Sequence, residues 1–218
     1  PAFVVDLYIW SPAGAPVHQR AGLFVPFGEW AFPISNYRYP FFAISIPKQT
    51  TQAIYARLAI EHKWLVASER RIAATAWLTE LALRDATRVR YFIGVLLGAF
   101  IGLGLYHLVV FGIVRERVYL YFSVYTLLYS LLDIVAYGVA LELGWPNWPR
   151  WNTFSLLLLA LLVAPPFISF SQIYLQTRRS LPRLHRLLTI LKWSCLAPLA
   201  LMLVSPGRAN DLTVTLYL

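Results

Sequence analysis

The pattern of polar and apolar residues changes abruptly between Arg90 and Tyr91. Before this point, short apolar runs alternate with charges and turn-forming residues, as in a soluble β-rich domain. The stretch that follows, Tyr91 to Val114, contains no Asp, Glu, Lys or Arg. As a helix with a rise of about 1.5 Å per residue it would be roughly 36 Å long, enough to cross a hydrocarbon core of about 30 Å. The sequence therefore predicts a β-rich head followed by a helical membrane bundle.

The composition agrees with a membrane protein. Hydrophobic residues make up 59% of the chain and charged residues only 13%, with a mean hydropathy of +0.60, which is too apolar for an ordinary soluble domain. The net charge of +9 does not indicate nucleic-acid binding, because the cations of the apolar half lie in connections between long apolar stretches rather than in one basic patch. Such cations orient spans and contact phospholipids, so the bilayer is the expected partner.

Several spans follow one another in the apolar half. We predict a membrane bundle over residues 91–218, with spans at about 91–114, 118–141, 153–176 and 187–204 and the start of a fifth at 212–218. The first and third connections contain six Lys/Arg residues, and the second and fourth contain two. Because cytoplasmic connections are enriched in Lys and Arg, residues 1–90 are expected to be extracytoplasmic. The chain is thus predicted to be a multi-pass protein of the cell inner membrane.

Small residues repeat every fourth position in the first predicted span, at Gly94, Gly98 and Gly102. This spacing places them on one helix face, where they let another helix backbone approach closely. We predict that this face packs against a helix of the same bundle, and the alternative is the seam of a homodimer.

Two ionisable residues lie within predicted spans, Asp133 and His107. A carboxylate in a membrane is costly unless it is paired, hydrated or protonated, so both residues are candidates for a functional role. The alternative for Asp133 is that water or an interfacial group satisfies it near the end of its span. The two residues lie at different depths, which argues against a proton relay between them.

The first 78 residues contain short strand-like runs bounded by turn residues. These runs are Val4 to Trp10, Phe41 to Ile46, Ala53 to Ile60 and Ile72 to Leu78. They predict a partial extracytoplasmic β-sandwich over residues 1–78, followed by a helical connector at 79–90. The overall class is therefore mixed, a truncated β-sandwich before an all-α bundle. We expect the sequence to be a piece of a longer protein, cut at both ends.

Aromatic residues and arginines of the head are the candidate ligand contacts, because aromatic faces and guanidinium donors suit sugars or carboxylates. They are Trp10, Arg20, Trp30, Tyr37, Arg38, Tyr39 and Trp64. The alternative for each is a core or rim position of the sandwich. A small molecule, such as a carbohydrate, is the expected ligand of the head.

No catalytic, metal-binding or cofactor-binding pattern occurs in the sequence. Cys195 is the only cysteine and lies in an apolar stretch, so it predicts a packing residue and neither a disulfide nor a zinc site. We therefore expect no enzyme activity within these residues. A transporter or channel subunit is the main alternative function, but only Pro165-Pro166 and Asp133 point to the broken helices and midplane polar groups that it needs.

Three stretches match the pattern of a known family. The membrane half contains Gly94-Val-Leu-Leu-Gly98-Ala-Phe-Ile-Gly102-Leu-Gly-Leu-Tyr106-His-Leu and Arg115-Glu-Arg-Val-Tyr119-Leu-Tyr121-Phe, and the head contains Ala53-Ile-Tyr55-Ala-Arg57-Leu-Ala-Ile. The first two resemble the first two helices of the bacterial seven-transmembrane receptors with diverse intracellular signalling modules. The third resembles a late strand of their extracellular jelly-roll domain. The resemblance implies a sensor that passes a signal to a cytoplasmic output module, typically a kinase or cyclase, beyond residue 218.

Overall fold

A computed structural model describes residues 3–10, 16–22, 25–32, 41–46, 48–49, 51–60, 78–195 and 197–198. The chain divides into two compact units. The first unit contains the described residues up to Phe92 together with Val135–Thr153, and the second contains Ile93–Ile134 and the described residues from Phe154 onward. The first unit thus combines the head with the segment that separates the second and third long helices.

The head contains an antiparallel three-stranded sheet with the strand order β2-β1-β3. The strands are β1 (Phe3–Trp10), β2 (Val17–Gly22) and β3 (Ala53–Ile60). Val5, Leu7 and Ile9 are buried along one face of the central strand, which is the period of two expected of a strand with one face in a core. In the register of the sheet, Asp6 of β1 lies opposite Arg20 of β2 on one side and Arg57 of β3 on the other.

Two of the predicted strands, Val4 to Trp10 and Ala53 to Ile60, correspond to β1 and β3. The prediction of a strand at Phe41 to Ile46 is wrong, because this segment joins no ladder and exposes its apolar side chains Ile44 and Ile46. Apart from Leu78, which is not in a strand, the predicted strand Ile72 to Leu78 lies outside the described residues.

The core of the first unit contains a residue from outside the head. Val4, Ala21, Val25 and Trp30 form a buried cluster with Leu141, a residue from beyond the second long helix. The Trp30 indole N–H donates a hydrogen bond of 3.0 Å to the Val25 carbonyl, so the ring's one polar group is satisfied inside the core. This cluster of the head therefore includes a side chain of the 137–148 segment.

The described helices are α1 (Thr79–Val114), α2 (Arg117–Ala136), α3 (Val139–Leu143), α4 (Pro149–Tyr174), α5 (Thr177–Ser180) and α6 (Pro182–Ser194). Among the described residues, α1, α2 and α4 are long and apolar enough to cross a membrane. A small β-sheet followed by apolar helices confirms the predicted mixed class.

The predicted second span, 118–141, contains a turn. Helix α2 ends at Ala136, and Gly138 adopts a left-handed conformation with φ of 77° before α3 begins. Glycine adopts this conformation without the steric penalty that a Cβ atom brings. The predicted fourth span, 187–204, is described only to residue 195 and at 197–198, and the predicted fifth lies outside the described residues.

The second unit is held together by contacts from α2 to both other long helices. The Phe100 and Tyr129 rings connect α1 with α2, with centroids 5.4 Å apart. Phe122 meets Phe170 of α4 at 5.1 Å, and Tyr125 meets Phe167 at 5.0 Å. These tilted and edge-on arrangements are the ones that aromatic pairs prefer, and they place α2 between its two neighbours.

Candidate ligand face and relay contacts

One face of the head sheet carries a cluster of polar and aromatic side chains. Asp6 lies opposite Arg20 of β2 and Arg57 of β3, and directly opposed residues of neighbouring strands share a face. The Asp6 carboxylate lies 3.1 Å from His18 Nε2 and 3.7 Å from Arg20 Nε. The His18 ring also stacks on Tyr8, with centroids 4.8 Å apart. Asp6 thus positions an imidazole and a guanidinium that remain accessible to a ligand, since both are exposed.

The predicted ligand contacts have different environments. Arg20 belongs to this polar face, and Trp10 lies at the end of β1 with 51% of its surface exposed. Trp30 is only 6% exposed and packs in the core. The remaining candidates lie outside the described residues; they are Tyr37, Arg38, Tyr39 and Trp64. The structure therefore brings Arg20 and Trp10 to the same sheet and places Trp30 among its supporting side chains.

The segment between α2 and α4, residues 137–148, is bound to the head by apolar and backbone contacts. We call it the docking segment. Its Leu141 lies in the head core with 3% exposure, and the backbone N–H of Phe27 donates a 2.9 Å hydrogen bond to the Pro146 carbonyl. The docking segment is therefore packed and hydrogen-bonded within the same unit as the head.

Trp145, which follows α3, contacts residues at the start of α4. The Trp145 indole N–H lies 3.3 Å from Asn152 Oδ1, and its ring meets Trp151 edge-on at 6.3 Å. Trp148 and Trp151 are exposed. Indoles with one apolar and one polar edge are favoured where a membrane meets water.

A charged pair joins α1 to the docking segment. Arg90 Nη2 lies 3.4 Å from the Glu142 carboxylate, and the arginine is well exposed. Exposed ion pairs contribute little, because water screens them and two long side chains must be ordered. This pair therefore contributes less to the attachment of the docking segment than the buried side chain of Leu141 does.

We expect Arg90→Glu to lower the stability of the first unit by about 0.5 kcal/mol, because it places two carboxylates together at an exposed site. The double variant with Glu142→Arg should recover most of the loss. Hydrogen exchange of the docking segment, with the protein in nanodiscs, measures the loss of stability and its recovery. Equal loss in the single and double variants would show that Arg90 acts through other contacts.

The close approach of α1 to α2 occurs at Gly104. Ser123, fully buried on α2, donates a 2.8 Å hydrogen bond to the Gly104 carbonyl. A Cβ atom at Gly104 would lie 2.8 Å from Leu127 Cγ and 2.9 Å from Thr126 Oγ1. Distances this short require a neighbour to move. Gly104 is therefore the residue of α1 that lets α2 pack against its backbone.

The predicted glycine face has a different environment. A Cβ atom at Gly94, Gly98 or Gly102 would meet nothing within 4 Å in the part of the chain that the structure describes. The predicted close packing within the bundle is thus not seen among these residues, and the homodimer alternative stays a prediction. The four-residue spacing identifies a glycine-lined face of α1, but it does not identify which glycine contacts another helix.

The intramembrane candidates His107 and Asp133 are not close partners. His107 Nδ1 lies 2.8 Å from the Leu103 carbonyl oxygen of its own helix, and its ring meets Phe122 at 4.5 Å. Asp133 is half-buried, and no described side chain forms a hydrogen bond or ion pair with it. Within the described residues, no three His, Cys, Asp or Glu side chains are grouped as metal ligands.

The family described as 7TM diverse intracellular signalling matches residues 90–218. This match covers more than half of the chain and includes α1 from Arg90 onward, α2 and α4. The chain belongs to this family. No curated protein and no solved structure matches it.

Membership of the 7TM diverse intracellular signalling family assigns the chain to the membrane signalling receptors. The three apolar helices agree with this assignment. The docking segment, residues 137–148, lies within the matched range, whereas β1, β2 and β3 precede it. The contact between Leu141 and the head core therefore joins the family's membrane region to the preceding domain of this receptor.

Proposed function

We propose that the chain is the sensing and transmembrane part of an inner-membrane receptor, whose extracytoplasmic head binds a small ligand and biases the helices toward one of two arrangements. The observation that carries this proposal is the burial of Leu141 in the head core. A head that shares its core with the docking segment cannot change its packing without affecting the ends of α2 and α4. This gives ligand binding a physical connection to the membrane helices.

Charge placement supports an extracytoplasmic head. The connections at 115–117 and 177–186 contain six arginines, and those at 142–152 and 205–211 contain two Lys/Arg residues. Cytoplasmic connections carry the excess of positive charge, which leaves the docking segment and the head on the opposite side. The exposed indoles of Trp148 and Trp151 suit the outer membrane interface in this orientation.

The ligand surface that we propose is the polar face of the sheet around Asp6, His18 and Arg20. Aromatic and guanidinium groups beside a carboxylate can stack on a sugar ring and hydrogen-bond its hydroxyls, or pair with a ligand carboxylate. The β1–β3 arrangement is part of the jelly-roll-like domain that we propose for the complete head. A carbohydrate is the proposed ligand class, with a small carboxylate as the alternative.

Two routes lead from the head to the helices in this mechanism. The first is helix α1, which begins at Thr79 and continues without interruption to Val114. The second is the docking segment, which ends at the start of α4. Because a ligand shifts an equilibrium only by its differential affinity for the two states, ligand-bound and free heads must hold these elements differently. The shifted helices would then act on a cytoplasmic output module.

Hydrogen exchange tests this mechanism. Full-length receptor in nanodiscs would be screened by thermal shift against a panel of mono- and disaccharides and small carboxylic acids. With a stabilising compound added, amides of β1 and β2 and those of residues 137–148 should both change their exchange. Protection of the strands with unchanged exchange at 137–148 and at 79–92 would overturn the relay, while leaving ligand binding intact.

The Arg20 guanidinium provides a test of the ligand face. We expect Arg20→Ala to weaken binding of the compound found in the screen by about tenfold or more, because a charge-assisted hydrogen bond contributes about 1.5–3 kcal/mol. The fold should be retained, since Arg20 is exposed. Lys48→Ala, at an exposed turn, is the matched control and should leave affinity unchanged. Equal losses in both variants would place the ligand elsewhere.

A further inference from the structure

A cavity of about 430 Å³ lies in the second unit at the carboxyl end of α4. Its lining residues come from α2, α4, α5 and α6 and from the turn between α4 and α5: Tyr121, Ser169, Gln172, Ile173, Gln176, Arg178, Arg179, His185 and Lys192. Ligand pockets typically have volumes of about 300–1,000 Å³. The cavity is therefore large enough for a small polar group.

The charge of this cavity is of one sign. Arg178, Arg179 and Lys192 line it, and no Asp or Glu does so among the described residues. The ion pairs of Asp6, Glu80 and Glu142 involve other cations than these three. Lys192 Nζ lies 6.0 Å from the Trp193 ring centroid, and none of the described carboxylates forms an ion pair with it. Three cations around one cavity favour an anion.

Two of the lining residues, Gln172 and His185, are hydrogen-bonded within the protein. The buried Gln172 amide nitrogen donates to the His185 carbonyl at 3.2 Å and to Thr189 Oγ1 at 3.0 Å. Thr177, also buried, lies 3.0 Å from His185 Nδ1 through its hydroxyl. These bonds fix α6 to the end of α4. Gln172 and His185 are thus engaged within the protein, and Arg178, Arg179 and Lys192 supply the positive charge that a ligand would meet.

The turn that precedes the two arginines has a defined backbone conformation. Gln176 adopts a left-handed conformation with φ of 48°, and α5 begins with Thr177-Arg178-Arg179 directly after it. A non-glycine residue adopts this conformation at a steric cost, so the surrounding contacts hold the turn in place. Arginine pairs with phosphate through two parallel N–H groups. Two adjacent arginines on α5, directly after this turn, suit a phosphate group.

We propose that this cavity binds a phosphate-bearing anion, either the headgroup of an acidic phospholipid or a soluble phosphate ester. The lipid source is favoured because the apolar helix α4 ends at Tyr174, next to the lining residue Ile173, and Tyr174 and Leu175 expose apolar surface on which an acyl chain could lie. Basic pockets at the cytoplasmic ends of spans bind acidic headgroups. The site does not depend on the proposed outer ligand.

Two double arginine variants distinguish binding in the cavity from binding by general surface charge. Arg178→Gln/Arg179→Gln removes two lining cations, and Arg183→Gln/Arg186→Gln removes two from the same connection that do not line the cavity. Full-length protein would be purified in neutral detergent with phosphatidylglycerol and phosphatidylcholine, and retained lipid counted by native mass spectrometry. We expect preferential retention of phosphatidylglycerol, weakened about tenfold in the first variant and little changed in the second.

Glycerol phosphate added in neutral detergent distinguishes the two sources. Binding of glycerol phosphate as tight as that of phosphatidylglycerol would assign a soluble ester, and retention of phosphatidylglycerol alone would assign the lipid. No binding of either anion, or equal weakening in both arginine variants, would overturn the proposal. If the first double variant fails to fold, Lys192→Gln against Arg186→Gln repeats the comparison with single substitutions.

Discussion

Leu141→Ala should lower the free energy of unfolding of the head by about 2–5 kcal/mol. The leucine is only 3% exposed and lies in the core formed with Val4, Val25 and Trp30. Removing a buried leucine loses its transfer free energy and leaves a cavity. The measurement is limited proteolysis of full-length receptor in nanodiscs at low protease concentration, where cleavage is slow relative to reclosing and reports the population of the opened state. The proposed relay also predicts that the variant responds to ligand with a smaller change in output.

Leu143→Ala is the matched control for this experiment. Leu143 lies on the same short helix, α3, but 78% of its surface is exposed, so its truncation should change stability by less than about 0.5 kcal/mol. Equal proteolysis of both variants would show that the docking segment is not part of the head core. Normal output from a destabilised Leu141→Ala receptor would confine the contact to stability and remove the docking segment from the relay.

The strands of the head were predictable where burial controls the sequence. The central strand β1 buries Val5, Leu7 and Ile9, and its alternation is visible from the sequence alone. Strand β2, Val-His-Gln-Arg-Ala-Gly, was not predicted because it is mostly polar and carries exposed His18 and Arg20. The opposite error occurred at Phe41 to Ile46, where apolar composition predicted a strand in a segment whose side chains remain largely exposed.

The attachment of the docking segment was not predictable from apolar runs. Leu141 is the last residue of the second span predicted from hydropathy, 118–141, and hydropathy does not distinguish burial in lipid from burial in a protein core. The signal that separates the two is Gly138, whose left-handed backbone ends the helical run and lets Leu141 enter the head core. A glycine near the end of an apolar run is a local indication of such a break.

The four-residue spacing of glycines did not predict which face of α1 packs against α2. Gly94, Gly98 and Gly102 give the regular pattern, whereas Gly104 lies outside it and makes the close approach. The partner of Gly104 is the buried polar row of α2, in which Ser123, Thr126 and Ser130 all donate hydrogen bonds to backbone carbonyls. Such a row on an apolar helix, with a spacing of three and four residues, would have marked the contacting face.

Gly104→Leu should separate α1 from α2. Its Cβ alone would lie 2.8 Å from Leu127 Cγ, and the rest of the side chain has to displace Thr126 or break the Ser123 hydrogen bond to the Gly104 carbonyl. Overpacking of this kind costs about 1–3 kcal/mol or more. We expect a lower thermal unfolding temperature of the full-length protein in detergent, followed by the fluorescence of the tryptophans and by loss of the monodisperse peak in size-exclusion chromatography.

Gly98→Leu is the control, since it adds the same side chain to the same helix where a Cβ meets nothing within 4 Å. Replacing a helical glycine by leucine improves helix propensity by up to about 1 kcal/mol, so this variant should unfold at the same or a higher temperature. If Gly98→Leu instead converts a dimer to a monomer, the glycine face is a dimer seam and Gly104 remains the contact within the bundle. Equal destabilisation by both substitutions would contradict the assignment of Gly104, because the cost would then follow from the added leucine rather than from its neighbours on α2.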